Sequence, residues 1–322
     1  MLQAPQPIHV MAGVMVDAVG RVLLAQRPPG KHLAGLWEFP GGKIEPSEPP
    51  ASALIRELCE ELGVLAEVAE PLIRVPWQYD GRRLLLDAWM VRGWEGEPVS
   101  LEGQALQWCL PSAIDPAILA PADRPILQAL RLPVRYPITP VDLPPEAFEA
   151  CACMLREALV RGERLLQLRL PLWPLRLVQK LAAELLPFAR QREAAILLND
   201  DIEGARELGH GIGVQLKASQ LTAMEERPLP LDQLVGASCH DAAELARASI
   251  LRADFATLSP IAATATHPDA VPLGWATFQH LVETAALPVY ALGGMGAIDV
   301  TRARSMGGQG VAGIRSFWLP ET

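Results

Sequence analysis

Apolar and polar positions follow two different rhythms along the 322 residues, and the change of rhythm divides the chain. In the first stretch, the apolar runs His9–Val16 and Val22–Gln26 flank an Ala-Val-Gly turn and predict two strands. Residues 49–62 have helical periodicity, with Pro49 and Pro50 at the entry and Gly63 just past the end. A further strand is predicted at Leu84–Val91 and a short helix at Arg124–Leu130. Strands before and after a central helix indicate an α+β or α/β sandwich.

Farther on, short apolar strands recur at Leu165–Leu168, Ala195–Leu198, Gly213–Leu216, Leu234–Ser238, Phe255–Leu258, Pro288–Leu292 and Gly310–Ile314. Segments of helical period, such as Phe148–Arg161 and Leu175–Arg190, accompany them. That βα repetition over about 180 residues predicts a parallel TIM (β/α)8-like barrel. Between the two rhythms lies RLPVRYPITPVDLPPEA, residues 131–147, with five prolines. Proline removes a backbone donor and biases its predecessor to extended geometry, so a helix interior is disfavoured there. The boundary is placed at 132–136, giving domains at 1–132 and 133–322.

Charge narrows the chemistry. The chain holds 28 Lys+Arg against 37 Asp+Glu, a net charge of −9, and both parts are mildly acidic: 11 against 16, then 17 against 21. Polymeric nucleic acid and anionic membranes require a basic footprint, so neither is expected as a partner. A mononucleotide remains compatible, because a bound metal can handle its phosphates. No apolar run approaches the about 20 residues of a spanning helix, and residues 1–7 lack a basic-then-apolar leader. Five scattered cysteines suggest no disulfide framework. A soluble cytoplasmic protein is expected.

The most informative segment is GKIEPSEPPASALIRELCEELGV, residues 42–64. Glu57, Glu60 and Glu61 stand at i, i+3 and i+4 and so share one helical face. Like charges that close repel, whereas Mg²⁺ or Mn²⁺ takes oxygen ligands and links carboxylates to phosphates. Glu48 and Arg56 are spaced to pair and orient the cluster. Gly41 and Gly42 permit close backbone approach and a carbonyl ligand.

The segment satisfies G-x5-E-x7-R-E-U-x-E-E-x-G-U throughout, U being aliphatic, and is identified as a Nudix box. With LWEFPGGKIE (36–45), VRGWEGEP (91–98), LEGQ (101–104) and PADRP (121–125), residues 7–131 resemble the MutT branch of the Nudix hydrolases. The resemblance implies a diphosphohydrolase of oxidised nucleotides, chiefly 8-oxo-dGTP, that releases the monophosphate and pyrophosphate. It implies metal ligands at the Gly41 carbonyl, Glu57, Glu60, Glu61 and Glu102. It puts Arg27, His32 and the stretch Glu38, Phe39, Pro40, Gly41 against the nucleotide, with Arg82 in a closing loop. Glu57 is the first choice for general base. One departure stands out: Asp123 replaces the asparagine that reads the oxidised purine. Ionised aspartate only accepts, so it serves if protonated or if the base presents two donors; otherwise it caps the helix at Arg124. Trp37, Trp77, Trp89, Trp94 and Trp108 are expected mostly in the core.

Residues 136–318 resemble thiamine phosphate synthase and the tautomerase TenI, through YPIT (136–139), LLQLR (165–169), LLND (197–200), SCH (238–240), SPIAATATHPD (259–269) and ALGGM (291–295). Gly293, Gly294 and Arg315 form the implied phosphate site. The synthase pattern is broken where Leu170 and Pro171 follow Arg169, where KASQ (217–220) lacks the second magnesium aspartate, and where His267 replaces a lysine. Asn199 and Asp200 remain, and His240 is a candidate acid/base. A degenerate barrel holding a thiamine- or thiazole-phosphate ligand is therefore expected. The alternatives are hydrolysis of thiamine-related diphosphates by the first domain, or a bifunctional enzyme with synthase or tautomerase activity.

Overall fold

The computed structural model describes residues 7–264 and 270–318. The chain divides into two compact units, Met1–Arg131 and Leu132–Thr322.

The first unit contains strands β1 (Ile8–Met15), β2 (Val22–Gln26) and β3 (Trp37–Glu38), helix α1 (Pro50–Leu62), strands β4 (Leu65–Tyr79), β5 (Arg82–Glu95) and β6 (Leu106–Cys109), and helix α2 (Arg124–Arg131). Two three-stranded sheets result, ordered β1-β5-β4 and β3-β2-β6. β1 lies parallel to β5 with Ile8 opposite Leu84, while β4 and β5 form a long antiparallel pair. In α1 the apolar positions Ala53, Leu54, Leu58 and Leu62 are buried against Met11, Met15 and Val91. Their helical spacing leaves the glutamates of the same helix on the other side. Trp94 and Trp108 stack at 5.8 Å, packed on this core.

β4 was not expected. It carries Glu67, Glu70, Pro71 and Pro76, and its register against β5 shifts three times between Glu67 and Ile73. An edge position tolerates proline because one side of the strand has no ladder to complete, and β-bulges absorb the irregularity.

The second unit runs β7 (Arg135–Pro137), α3 (Phe148–Val160), β8 (Leu165–Leu168), α4 (Leu175–Arg190), β9 (Ala195–Asn199), α5 (Ile202–Leu208), β10 (Ile212–Leu216), α6 (Ala218–Ala223), β11 (Val235–Cys239), α7 (Ala242–Ile250), β12 (Phe255–Leu258), α8 (Gly274–Val282), β13 (Val289–Ala291), α9 (Val300–Ser305) and β14 (Gly310–Gly313). All eight strands are parallel neighbours in the order β7-β14-β13-β12-β11-β10-β9-β8. A bridge between Ile138 and Gln167, with the Thr139 N–H donating to the Gln167 carbonyl at 3.0 Å, brings the two ends together. The barrel strand β7 thus falls inside the segment whose prolines suggested a linker.

Two cores result. One lies between strands and helices. The other fills the barrel interior, where Tyr136, Phe255 and Tyr290 form a buried triangle with ring centroids 5.2–5.7 Å apart. The Tyr136 hydroxyl donates to Gln215 Oε1 at 3.0 Å, so its polar end is satisfied inside the core. No helix of the described residues is long and apolar enough to cross a membrane.

Candidate active site

In the first unit a cavity of about 510 Å³ opens between the glycine-rich turn, α1 and the 120–123 segment. Gly41 makes the turn possible. Its φ is +144°, and a Cβ there would stand 2.3 Å from the Met11 carbonyl oxygen. At Gly42 a Cβ would meet the Glu57 carboxylate at 2.1 Å, so the backbone lies directly against that side chain. The Pro40 and Gly42 carbonyls accept from the Gly13 and Met11 N–H groups. That of Gly41 has no partner among the described residues.

The structure brings Gly41, Glu57, Glu61 and Glu102 to one cavity. Glu61 accepts the Gly41 N–H at 3.0 Å. Burial pushes its carboxyl up to about 7, and the nearby Glu102, Glu38 and Glu57 charges add to that against the Gly41 hydrogen bond. Gln104 fixes the Glu102 loop: its Oε1 accepts the Glu102 N–H at 3.1 Å and its Nε2 donates to the Glu61 carbonyl at 3.4 Å.

Arg56 governs the other carboxylates. It donates to Glu48 from both Nε (3.0 Å) and Nη2 (2.8 Å), to Glu57 at 2.9 Å, to Glu60 at 3.3 Å and to the Lys43 carbonyl at 3.1 Å. Hydrogen bonds from Arg56 hold the Glu48 carboxyl below its usual range. Arg56, Glu48 and the exposed Glu60 do not line the cavity. With Glu57 and Glu60 drawn to the guanidinium, no metal-holding group of three carboxylates is assembled among the described residues. The donor set nonetheless fits a hard divalent cation. Four carboxylates lie on or beside one wall, burial makes one of them resist ionisation, and a carbonyl lacks a donor among the described residues.

The opposite wall carries Arg27, whose Nε donates to the His32 carbonyl at 2.6 Å and whose Nη1 is paired with Glu38. Burial raises the Glu38 carboxyl against the attraction of Arg27. His32 packs edge-on to Tyr79 at 5.2 Å. Pro40 also lines the cavity, whereas Phe39 is buried behind it and Arg82 stands exposed at the start of β5, away from the lining.

Asp123 closes the floor. It is 4% exposed, and its Oδ1 accepts the Phe39 N–H at 3.0 Å across 84 positions of sequence. The side chain thus serves the β3 turn rather than the helix that follows. Burial is the dominant effect on its carboxyl and pushes it up to about 8; the Phe39 hydrogen bond and Arg27 oppose the rise and Glu38 adds to it. At neutral pH the group is mostly a neutral acid, with a donor as well as an acceptor. Tyr79, Lys31 and Gln104 also line the cavity and were not singled out from the sequence. Tyr79 lies at the end of the unexpected strand, and its hydroxyl accepts the Ala122 N–H at 3.0 Å. None of Trp37, Trp77, Trp89, Trp94 and Trp108 lines the cavity.

In the second unit a cavity of about 690 Å³ sits at the C-terminal ends of the barrel strands, lined by Gln167, Arg169, Asn199, Lys217 and His240, with Gly293 on the far side. His240 Nδ1 lies 2.9 Å from Glu244 Oε2, which also accepts the His240 backbone N–H at 2.7 Å. A smaller cleft of about 260 Å³ joins Gly293, Gly294, Arg315 and Ser316. Gly293 has φ +98° and lies so close to Pro260 that a Cβ would be 2.8 Å from its Cα. His267 lies outside the described residues.

Comparison with known proteins agrees with both geometries. Residues 11–129 match the NUDIX domain family, and residues 136–317 match the family described as Thiamine monophosphate synthase. The CTP pyrophosphohydrolase of Escherichia coli is 46% identical over 122 residues, 38% of this chain and 90% of that protein. The 8-oxo-dGTP diphosphatase of Escherichia coli is 31% identical over 124 residues, 38% of this chain and 96% of that protein. The putative thiamine-phosphate synthase 2 of Aquifex aeolicus is 32% identical over 163 residues, 51% of this chain and 87% of that protein. The chain therefore belongs to the Nudix hydrolases through its first unit and to the thiamine monophosphate synthase family through its second.

Proposed function

We propose that the first unit hydrolyses 8-oxo-dGTP with water to 8-oxo-dGMP and pyrophosphate, sanitising the nucleotide pool against mutation during DNA replication. The observation that carries this reading is Asp123, a buried acid held neutral at the cavity floor with Oδ1 fixed by the Phe39 N–H. An 8-oxopurine presents N7–H beside O6, a donor next to an acceptor, and a neutral acid complements both. Guanine has two acceptors along that edge and leaves one of them facing the acid's carbonyl oxygen. A relative named 8-oxo-dGTP diphosphatase supports the same substrate.

Gly41, Glu57, Glu60, Glu61 and Glu102 would hold Mg²⁺, with Mn²⁺ as substitute; Arg56 must yield Glu57 and Glu60 for that. When bound, the metal neutralises phosphate charge and acidifies the attacking water. Glu57 would accept the proton, the Glu48–Arg56 pair would stay beside the cluster as its positioning element, and Arg27 and His32 would hold the nucleotide. A second reading rests on the 46% identical relative named CTP pyrophosphohydrolase. Cytosine also sets an acceptor, N3, beside a donor, the 4-amino group, and so also matches a neutral acid.

The barrel is read as binding a thiamine- or thiazole-phosphate without condensing it. Steady-state hydrolysis of 8-oxo-dGTP, dGTP, CTP and thiamine diphosphate by the full chain with Mg²⁺ tests these assignments. The expected result is a kcat/KM for 8-oxo-dGTP at least a hundredfold above the others, with pyrophosphate released. A preference for CTP moves the substrate to cytosine nucleotides, and preferential cleavage of thiamine diphosphate moves the function to the barrel's chemistry.

A further inference from the structure

The barrel rim carries an arrangement of charge that the hydrolase does not use and that a magnesium-dependent synthase would not tolerate. Asp200 follows β9 in a left-handed conformation, φ +66°. Its Oδ2 is ion-paired with Lys217, at the end of β10, and its buried Oδ1 has no hydrogen-bond partner among the described residues. The aligned position for a second carboxylate is Gln220. That side chain is spent locally: Oε1 accepts the Lys217 N–H at 3.1 Å and Nε2 donates to the Asp200 carbonyl at 2.9 Å. A single carboxylate already joined to an ammonium does not fit the magnesium that the family resemblance implies.

Beside this pair, at the end of β8, stands Arg169. It lines the cavity, is half-buried, and its guanidinium has no acceptor among the described residues. Burial disfavours its charge. A planar fork of donors held uncompensated at a cavity wall is built for an anion, and a phosphate accepts from it in two places. Arg169 and Lys217 against Asp200 leave the rim one positive charge in excess.

We propose that the Arg169–Lys217 rim binds the phosphoryl group of a small molecule without a divalent cation, Lys217 neutralising Asp200 in place of a metal. This rests on the reading of the barrel as a phosphate-ligand site and is independent of the hydrolase. Arg169 meets the anion directly. Lys217 keeps the Asp200 carboxylate from repelling it.

Calorimetric titration of the full chain with inorganic pyrophosphate in excess EDTA tests the proposal, since chelation also removes any metal from the carboxylate site of the first unit. Binding is expected in EDTA, weakened at least tenfold by R169A and also by the milder R169Q, with thermal unfolding recorded for each variant. K217A is expected to weaken binding by a similar factor, and D200N/K217A to recover it, because the carboxylate that needed the ammonium is gone. D200N alone should bind more tightly than the parent. Binding that appears only with Mg²⁺ and is lost in R169A overturns metal independence while keeping the barrel as a phosphate site. Absence of binding in both conditions overturns both. Binding in EDTA that neither Arg169 variant weakens, or a double variant as weak as K217A, overturns the roles given to Arg169 and Lys217.

Discussion

Replacing Asp123 by asparagine tests the proposed role of this residue in reading the base, and with it the assumption that the acid is neutral when it works. In the fold its carboxyl titrates at about 8, against 3.8 for an ordinary aspartate. At pH 7 it is ionised in the unfolded chain and about 90% protonated in the native one, whereas at pH 9 about 10% remains protonated. Turnover that requires the acid therefore falls about ninefold in kcat/KM between those values. Asparagine keeps an oxygen for the Phe39 N–H and a fixed donor for the base. D123N should thus retain the neutral-pH kcat/KM for 8-oxo-dGTP within about threefold and lose the alkaline fall; any titration of the substrate itself persists in both proteins and cancels in their ratio.

Stability gives a second readout. A raised native pKa favours the fold fully below pH 3.8, and that advantage is lost as pH rises through about 8. The fold at pH 7 therefore bears about three pH units of uptake, an upper bound of about 4 kcal/mol that asparagine removes. Urea unfolding should show D123N more stable than the parent at pH 8 and less distinguished from it at pH 4. An alkaline fall that survives in D123N, or a hundredfold loss of neutral-pH activity, refutes the neutral acid.

Three further substitutions probe the same cavity. E57Q or E61Q should lower kcat by about a hundredfold or more while leaving the unfolding profile intact, and EDTA should abolish hydrolysis until Mg²⁺ or Mn²⁺ is restored; retained turnover in both variants refutes the metal assignment. Y79F removes the acceptor of the Ala122 N–H. It should cost about 1 kcal/mol in chemical unfolding and weaken discrimination of 8-oxo-dGTP from dGTP, because the segment carrying Asp123 loses its tether.

What the sequence disclosed and what it hid follow from range. The α1 carboxylates were legible because a single helix fixes their spacing, and proline and glycine mark its ends. The alternation of strands and helices from β8 onward was legible because each strand is short, apolar and buried. β4 was hidden by Pro71, Pro76 and its glutamates, which an edge strand with bulges accepts. β7 was hidden by the proline run, since three residues paired in a parallel sheet leave little pattern. The pairing of Asp123 with Phe39 and of Tyr79 with Ala122 joins positions that no local periodicity connects. Lys217 was visible only as the residue that interrupts a motif; its partnership with Asp200 needed two adjacent strands in register.

The triangle of Tyr136, Phe255 and Tyr290 makes the barrel a cup rather than a tube. With those rings filling the interior, a molecule entering the cavity at the C-terminal rim finds no path down the barrel axis among the described residues. Arrival and departure then compete for one doorway: an occupant shields everything beneath it, and a successor waits for it to go. For a ligand bound as proposed, residence time at the rim, more than depth of burial, would set how quickly the second unit exchanges it.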